Sequence, residues 1–284
     1  TDGWQVTAAT EKRSKTTFHS FRGGFKDQGD YRLPNGDHVQ NSAYQQFFGQ
    51  GSFGYIRPWG IIEGAYSSAY NKAGLIGYDG YQQTGDHLVT TSTRFSLGDW
   101  QITPRISYQL NHRKEFDRIQ EDQPGESELE LLALDISLRT LRWETILHRE
   151  QAGGWSTTFG VQGFQANSQF DDDGTVELLF TPLIPTSSAT ENSAFAVFDR
   201  AIGKGGVQFS GRSDYRITTE DAPRTDWLNS LAAGAHWDLN EATTLRMSLA
   251  RNERAPGLAE LHSQGVHYCA YRFESGNRAL QKEQ

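Results

Sequence analysis

Two histidines five residues apart, His262 and His267, bracket Gly265 and adjoin Tyr268 and the only cysteine, Cys269. Imidazole and thiolate are good transition-metal ligands, so this stretch is the candidate metal site, with His262 and His267 as ligands. Two histidines at that spacing also occur in ordinary loops. Asp171-Asp172-Asp173-Gly174 offers oxygen donors suited to calcium, but it lacks the ligand ladder and closing glutamate of an EF-hand and reads more simply as a solvated loop tip. Asn111-His112-Arg113-Lys114 could hold an anion, since guanidinium and ammonium groups suit carboxylate and phosphate; a solvated strand end is the plainer reading. Gly49-Gln50-Gly51-Ser52-Phe53-Gly54 matches the string of dinucleotide phosphate loops. No helix is expected after it, because Tyr55-Ile56-Arg57-Pro58 continues an extended run, so these read as strand glycines. The nucleophile-elbow and zinc-protease motifs are missing, and acidic residues are common without nominating a hydrolytic pair.

The elements around these residues are strands. Trp100, Ile102, Pro104, Ile106, Tyr108 and Leu110 alternate with Gln101, Thr103, Arg105, Ser107, Gln109 and Asn111, one face apolar and the other polar. The same period of two runs through Val207 to Thr218 and Leu231 to Leu239. Twelve strands are expected near 4–10, 16–26, 43–56, 59–70, 87–96, 99–115, 128–149, 155–168, 191–200, 206–218, 226–238 and 243–252. Within 128–149 the apolar phase slips from Leu132, Leu134, Ile136 and Leu138 to Leu141, Trp143, Thr145 and Leu147. A β-bulge would produce that slip in a single strand; a hairpin turn at Arg139 to Leu141 is the competing reading.

Tight connections at 11–15, 57–58, 97–98, 150–154, 201–205 and 239–242 alternate with long ones at 27–42, 71–86, 116–127, 169–190, 219–225 and from 253 onward. That is the layout of an antiparallel transmembrane β-barrel with short periplasmic turns and long outer loops. Composition agrees: 29 Gly, 16 Phe, 11 Tyr and 7 Trp against one Met and one Cys among 284 residues suit twisted strands and aromatic girdles. A mean hydropathy of −0.65 does not oppose a barrel, because half of each strand faces a wet interior. A net charge of −8 argues against nucleic-acid binding, and the single cysteine excludes an internal disulfide. A soluble all-β sandwich or propeller, as in a carbohydrate-binding domain, also has alternating strands, but its strands are shorter than those expected at 99–115 and 128–149.

The segment from Leu249 to Glu283 carries Arg254-Ala255-Pro256, Glu260-Leu261, Gly265 and His267, Phe273-Glu274, Gly276-Asn277, Leu280 and Glu283. In this order and spacing it resembles a segment of TonB-dependent outer-membrane receptors. Fainter echoes lie at Asp30-Tyr31-Arg32-Leu33-Pro34-Asn35-Gly36 leading to Asn41-Ser42, at Asn111 to Phe116, and at Leu183-Ile184-Pro185.

The resemblance implies a 22-stranded barrel filled by an N-terminal plug, with this chain supplying about twelve strands and the plug and closing strands lying outside it. It implies a receptor in the outer membrane of a Gram-negative bacterium, in contact with outer-membrane lipid, coupled to the TonB complex through the plug, and not an enzyme. The implied cargo is a scarce nutrient: a ferric siderophore or similar metal chelate, with zinc, haem or cobalamin as alternatives and a passive or enzymatic barrel as a further one. Asn71 to His87, where zinc receptors tend to have a His-rich loop, holds only His87, which disfavours zinc. Ligand-contact candidates on loops or the interior wall are Tyr78, Tyr81, His87, Arg105, Arg113, Arg254, His267, Tyr268 and Arg272, whose phenol, imidazole and guanidinium groups fit anionic chelates.

Overall fold

The computed structural model describes residues 3–77, 79–119, 129–170, 185–220, 223–267 and 272–284. Twelve strands form one sheet in chain order, every neighbour antiparallel: β1 (Gly3–Arg13), β2 (Thr17–Gln28), β3 (Tyr44–Arg57), β4 (Gly60–Gly74), β5 (Gly80–Leu97), β6 (Trp100–Ile119), β7 (Leu129–Gln151), β8 (Trp155–Phe170), β9 (Ser187–Ile202), β10 (Gly205–Thr219), β11 (Pro223–Asn240) and β12 (Thr243–Arg251). Beyond β12 lie a short helix α1 (Leu258–His262) and a small ribbon of β13 (Gln264–His267) and β14 (Arg272–Ser275). No described helix is long and apolar enough to cross a membrane.

Because side chains alternate along a strand, the register fixes two faces. Ile106 pairs with Thr91 and Trp143, and Tyr108 with Val89 and Leu141, so these residues share one face with Tyr66, Phe159, Phe198, Phe209, Leu231 and Met247. Among the described residues nothing packs on this apolar face: Leu249 is 78% exposed and Met247 76%. Arg105, Glu144, Glu191, Arg212, Asp214, Arg216 and Asp226 lie on the opposite, polar face. A soluble sandwich would bury the apolar face against a second sheet, and none is present among the described residues.

Arginines stand beside aromatic rings at the tight-turn end of the apolar face: Arg57 over Tyr55 at 5.4 Å, Arg149 over Trp100 at 5.8 Å and Arg200 over Trp155 at 5.0 Å. Such pairs suit a boundary where an apolar phase meets water, because ring and cation each find their preferred medium.

The stretch whose phase slips is a single strand, β7, so the hairpin reading is excluded. The slip is not a bulge either. Pairing with β8 runs without interruption from Ile136–Phe170 to Gln151–Trp155, straight through Leu138 to Leu141. Leu134, Ile136 and Leu138 therefore lie on the polar face, while Leu141, Trp143 and Leu147 lie on the apolar one. A bulge does exist further along the strand at Ala133, where Glu115 pairs with Leu134 and Phe116 with Leu132.

At one end the links are the two- or three-residue turns expected: 14–16, 58–59, 98–99, 152–154, 203–204 and 241–242. Opposite them the link 29–43 is long, the loops expected at 116–127 and 169–190 fall largely outside the described residues, and two expected loops shrink. The link expected at 71–86 is only 75–79, because β4 and β5 extend well beyond the apolar zone, and that at 219–225 is only 220–222. Polar, glycine-rich sequence such as Gly80 to Gly85 hid this extension, since it lacks the alternation that marks a strand.

Glycines 49, 51 and 54 all lie inside β3, so the phosphate-loop reading fails as expected. Gly54 faces Phe18 across the β2–β3 pair, and the Phe18 ring fills the space a Cβ would take. Gly160 and Phe195 repeat the device between β8 and β9. An aromatic ring over a bare glycine shields the ladder that the missing side chain leaves open.

Candidate functional site on the polar face and outer rim

The polar face is built differently across the sheet. On β2–β5 its middle is small and hydroxyl-rich, with Ser20, Ser52, Ala65, Ser67 and Thr90 around a shallow hollow of about 290 Å³ and the Ser20 and Ser52 hydroxyls 2.8 Å apart. On β6–β11 it is charged. Arg105 Nη1 lies 3.5 Å from Glu144 Oε1. Arg212 donates through Nε to Asp214 at 2.7 Å and through Nη2 to Ser193 at 2.8 Å, with Glu191 3.6 Å away. Arg224 forms a two-point contact with Asp226 at 2.9 and 3.0 Å. Such ladders require water or a polar partner beside them, because unpaired charge in an apolar phase is costly.

The long-link end carries two folded rims. In the first, one Asp30 oxygen accepts from the backbone N–H groups of Ser42 at 2.7 Å and Ala43 at 2.8 Å, which holds its carboxyl below the usual range. Neighbouring Asn41 takes a left-handed φ of 59° and donates to the carbonyls of Leu75 and Gly80 at 3.0 and 2.5 Å. The 29–43 link is thereby pinned to the β4–β5 hairpin, beside an open cavity of about 930 Å³ that Asp30, Tyr44, Lys72, Asp79 and Tyr81 help line.

The second rim, from 252 onward, explains the spacing Arg254, Glu260, Glu283. Arg254 spans both carboxylates: Nη1 and Nη2 donate to Glu260 at 3.0 Å each, and Nε donates to Glu283 at 3.1 Å. The Arg254 and Glu283 backbones also exchange hydrogen bonds at 3.0 and 2.9 Å. Arg254 and the Gly257 N–H hold Glu260 below its ordinary value; Glu260, then Glu283, raise the guanidinium. Lys282 and the Asn229 N–H act likewise on Glu253. Ala255 and Leu261 are buried beneath, and Gly276 passes so close to Leu261 and His262 that a Cβ would sit 2.6 Å from their backbone. Glu220, Glu253 and Lys282, which also tie this rim down, had no sequence signal, since their partners lie far away in the chain.

The sequence-derived candidates do not converge. Tyr78 and Tyr268 lie outside the described residues, as do Cys269 and Asp171 to Gly174. Tyr81, in a stretch expected to be loop, sits on β5, as does His87, where a strand is expected to begin. The Tyr81 ring is buried, stacked 4.8 Å from Phe116, with its hydroxyl donating to Glu130 at 3.1 Å. His87 lies on the apolar face, its Nδ1 2.8 Å from the Tyr66 hydroxyl. Arg254 is the rim clamp. Arg272 donates to Glu274 at 2.7 Å, and Arg113 contacts Glu115 on the polar face. His262 contacts Glu220 at the end of β10, while His267 occupies the end of β13. No group of three or more His, Cys, Asp or Glu placed to hold a metal occurs among the described residues. Arg105, half-exposed on the polar face, is the candidate best placed to meet a solute. The Asn111–Lys114 run is split by alternation, Asn111 and Arg113 on the polar face, His112 and Lys114 on the apolar.

The family model "TonB dependent receptor-like, beta-barrel" matches residues 13–284, and the chain belongs to that family, whose members are outer-membrane proteins of Gram-negative bacteria. Among solved structures, the sheet is similar to the copper transporter OprC (TM-score 0.74, 17% identity, 90% of this chain and 45% of that one). It is also similar to the Serratia marcescens hemophore receptor HasR, in complex with its hemophore HasA and heme (0.75, 13%, 99% and 49%), and to the FrpB iron transporter from Neisseria meningitidis (0.70, 14%, 89% and 44%). At these identities the likeness is one of fold. The chain spans about half the length of the structures it matches. No curated protein sequence matches.

Proposed function

We propose that this chain forms part of the wall of an energised outer-membrane receptor that takes up a ferric siderophore or a similar anionic metal chelate. The carrying observation is the pairing of an exposed apolar face with a charged opposite face: the first suits lipid, the second a wet interior. The half-exposed Arg105 and the Arg212 and Arg224 clusters supply the hydrogen-bond donors that an anionic chelate needs. The similar structures, a copper transporter, an iron transporter and a hemophore receptor, support metal-containing cargo. In this reading the remaining strands and a plug come from the rest of the receptor, the TonB complex drives release inward, and the chain catalyses no reaction. Nothing in the geometry favours zinc, cobalamin or haem over a siderophore chelate.

The test is accumulation of radiolabelled ferric siderophores, haem, cobalamin and copper in cells expressing the full-length gene, with and without a functional TonB complex. Saturable, TonB-dependent accumulation of one chelate is expected. Accumulation indifferent to TonB, together with steady ion conductance in planar bilayers, would establish a passive barrel instead.

A further inference from the structure

The apolar face changes character sharply across β4–β7. From the row Gly60–Phe95–Ile102–Leu147 to the row Tyr66–Val89–Tyr108–Leu141, no charged side chain lies on it. The next rows on the same face bring Arg139 beside Leu110, His112 beside Ser137, and Lys72 and Lys114 on either side of Gln83. Trp100, beside the lower arginines, and Leu110, beside Arg139, lie ten residues apart on β6. With a rise of about 3.3 Å per residue and a tilt of about 40°, that is about 25 Å, the height of an outer-membrane apolar belt. The upper cations therefore stand at the level of outer-leaflet headgroups.

The patch is local and ordered. At similar height, β8–β11 turn out only uncharged residues such as Asn167, Gln169, Thr190, Ser213 and Asn229. Asp135, whose side chain is 7% exposed, accepts from His112 Nε2 at 2.5 Å and lies 2.8 Å from Lys114 Nζ. Lys72 Nζ rests 4.1 Å over the Tyr81 ring, and Arg139 is exposed; neither has a carboxylate partner among the described residues. On β4–β7 this part of the face carries the acids Asp135 and Glu130 against Lys72, Lys114 and Arg139; Asp27 lies two strands from Lys72 in the same row, and Asp30 and Asp79 line the same cavity as Lys72.

We propose that this patch binds the phosphate groups of a phosphorylated glycolipid in the outer leaflet, through Lys72, Lys114 and Arg139, with His112 and Asp135 holding Lys114 in place. The inference rests on the apolar face being the lipid face. Phosphate is favoured over carboxylate-bearing or neutral headgroups because three cations on separate strands offer several point charges at one level, which one multiply charged headgroup can satisfy together.

The test is native mass spectrometry of the full-length protein in detergent, titrated with bis-phosphorylated lipid A, with dephosphorylated lipid A and with inorganic phosphate. Retention of the phosphorylated form alone is expected. Arg139→Gln should weaken it about fivefold and the triple variant Lys72→Gln, Lys114→Gln, Arg139→Gln about a hundredfold, while Arg105→Gln on the polar face leaves it unchanged. Equal retention of dephosphorylated lipid A, unchanged affinity in the triple variant, or displacement by millimolar inorganic phosphate would overturn the proposal. Heat-modifiable migration on gels reports whether each variant still forms a barrel; Arg139 is exposed, so its single variant keeps the test alive if the triple fails to assemble. Failure of the wild-type protein to insert into bilayers would instead refute the membrane reading beneath it.

Discussion

The two halves of the β6–β7 hairpin use the same backbone and opposite faces. In the lower half Ile102, Ile106 and Tyr108 lie beside Leu147, Trp143 and Leu141 on the apolar face, with Arg105 and Glu144 behind them. In the upper half the same face carries His112, Lys114, Ser137 and Asp135, and the leucines of β7 have crossed to the other side. From Gln101–His148 to Glu115–Leu134, across the boundary between the halves, the pairing does not slip. What changes is the medium. Apolar residues mark whichever face must avoid water at a given height, and above the belt no hydrocarbon remains to dictate which face that is.

The comparison can be broken most severely with one substitution made twice. Ile106→Arg, in the middle of the belt, should cost about 2–4 kcal/mol of stability in lipid. Leu138→Arg, above it and on the other face, should stay within about 0.5 kcal/mol, as exposed substitutions usually do. Reversible urea unfolding in liposomes reads both. Equal effects at the two sites would mean that the hairpin meets one medium throughout.

A smaller, local effect is expected at the rim. Arg254→Met removes the group that spans Glu260 and Glu283, so hydrogen exchange should accelerate across 258–262 and 272–284 while β6–β7 keep their protection. Unchanged exchange in the α1 region would show that the clamp does not hold this rim. Arg254→Lys should rescue only part of it, since an ammonium cannot contact two carboxylates with a planar fork.

The gentlest test is pH. Glu253 and Glu260 are depressed below their ordinary value of 4.5, so the rim gains stability from them that is fully present above that pH. It is lost as pH falls from there through their lowered folded values, the window in which the unfolded chain binds more protons than the folded one. Rim exchange should therefore be flat from pH 7 down to about 5, once corrected for the intrinsic rate, and rise below 4.5, with the belt unaffected. A rise beginning near pH 6 would show that Glu253 and Glu260 do not set the pH dependence of this rim.

The strands were legible because alternation is a local property. Trp100 to Leu110 announces its own two faces, and the turns at 58–59 and 98–99 follow from proline or glycine between alternating runs. The ligand candidates were not legible for the opposite reason. Tyr81 belongs to a polar, glycine-rich stretch whose strand character comes only from pairing with Gly74, Lys72 and their neighbours, and His87, at the start of an expected strand, gave no local sign that it would fall on the apolar face. Arg254 looked like a free cation because the two carboxylates that occupy it lie six and 29 positions away.

By itself the sequence determined twelve strands, their order, the short-turn end, and the family signature in residues 249–283. These depend on spacing within one strand or one loop. Only the tertiary structure decided the face of each residue above the belt, the true place of the bulge at Ala133, and the use of the signature as a clamp. Each of those depends on cross-strand register and on contacts between distant segments, which no single stretch of chain encodes.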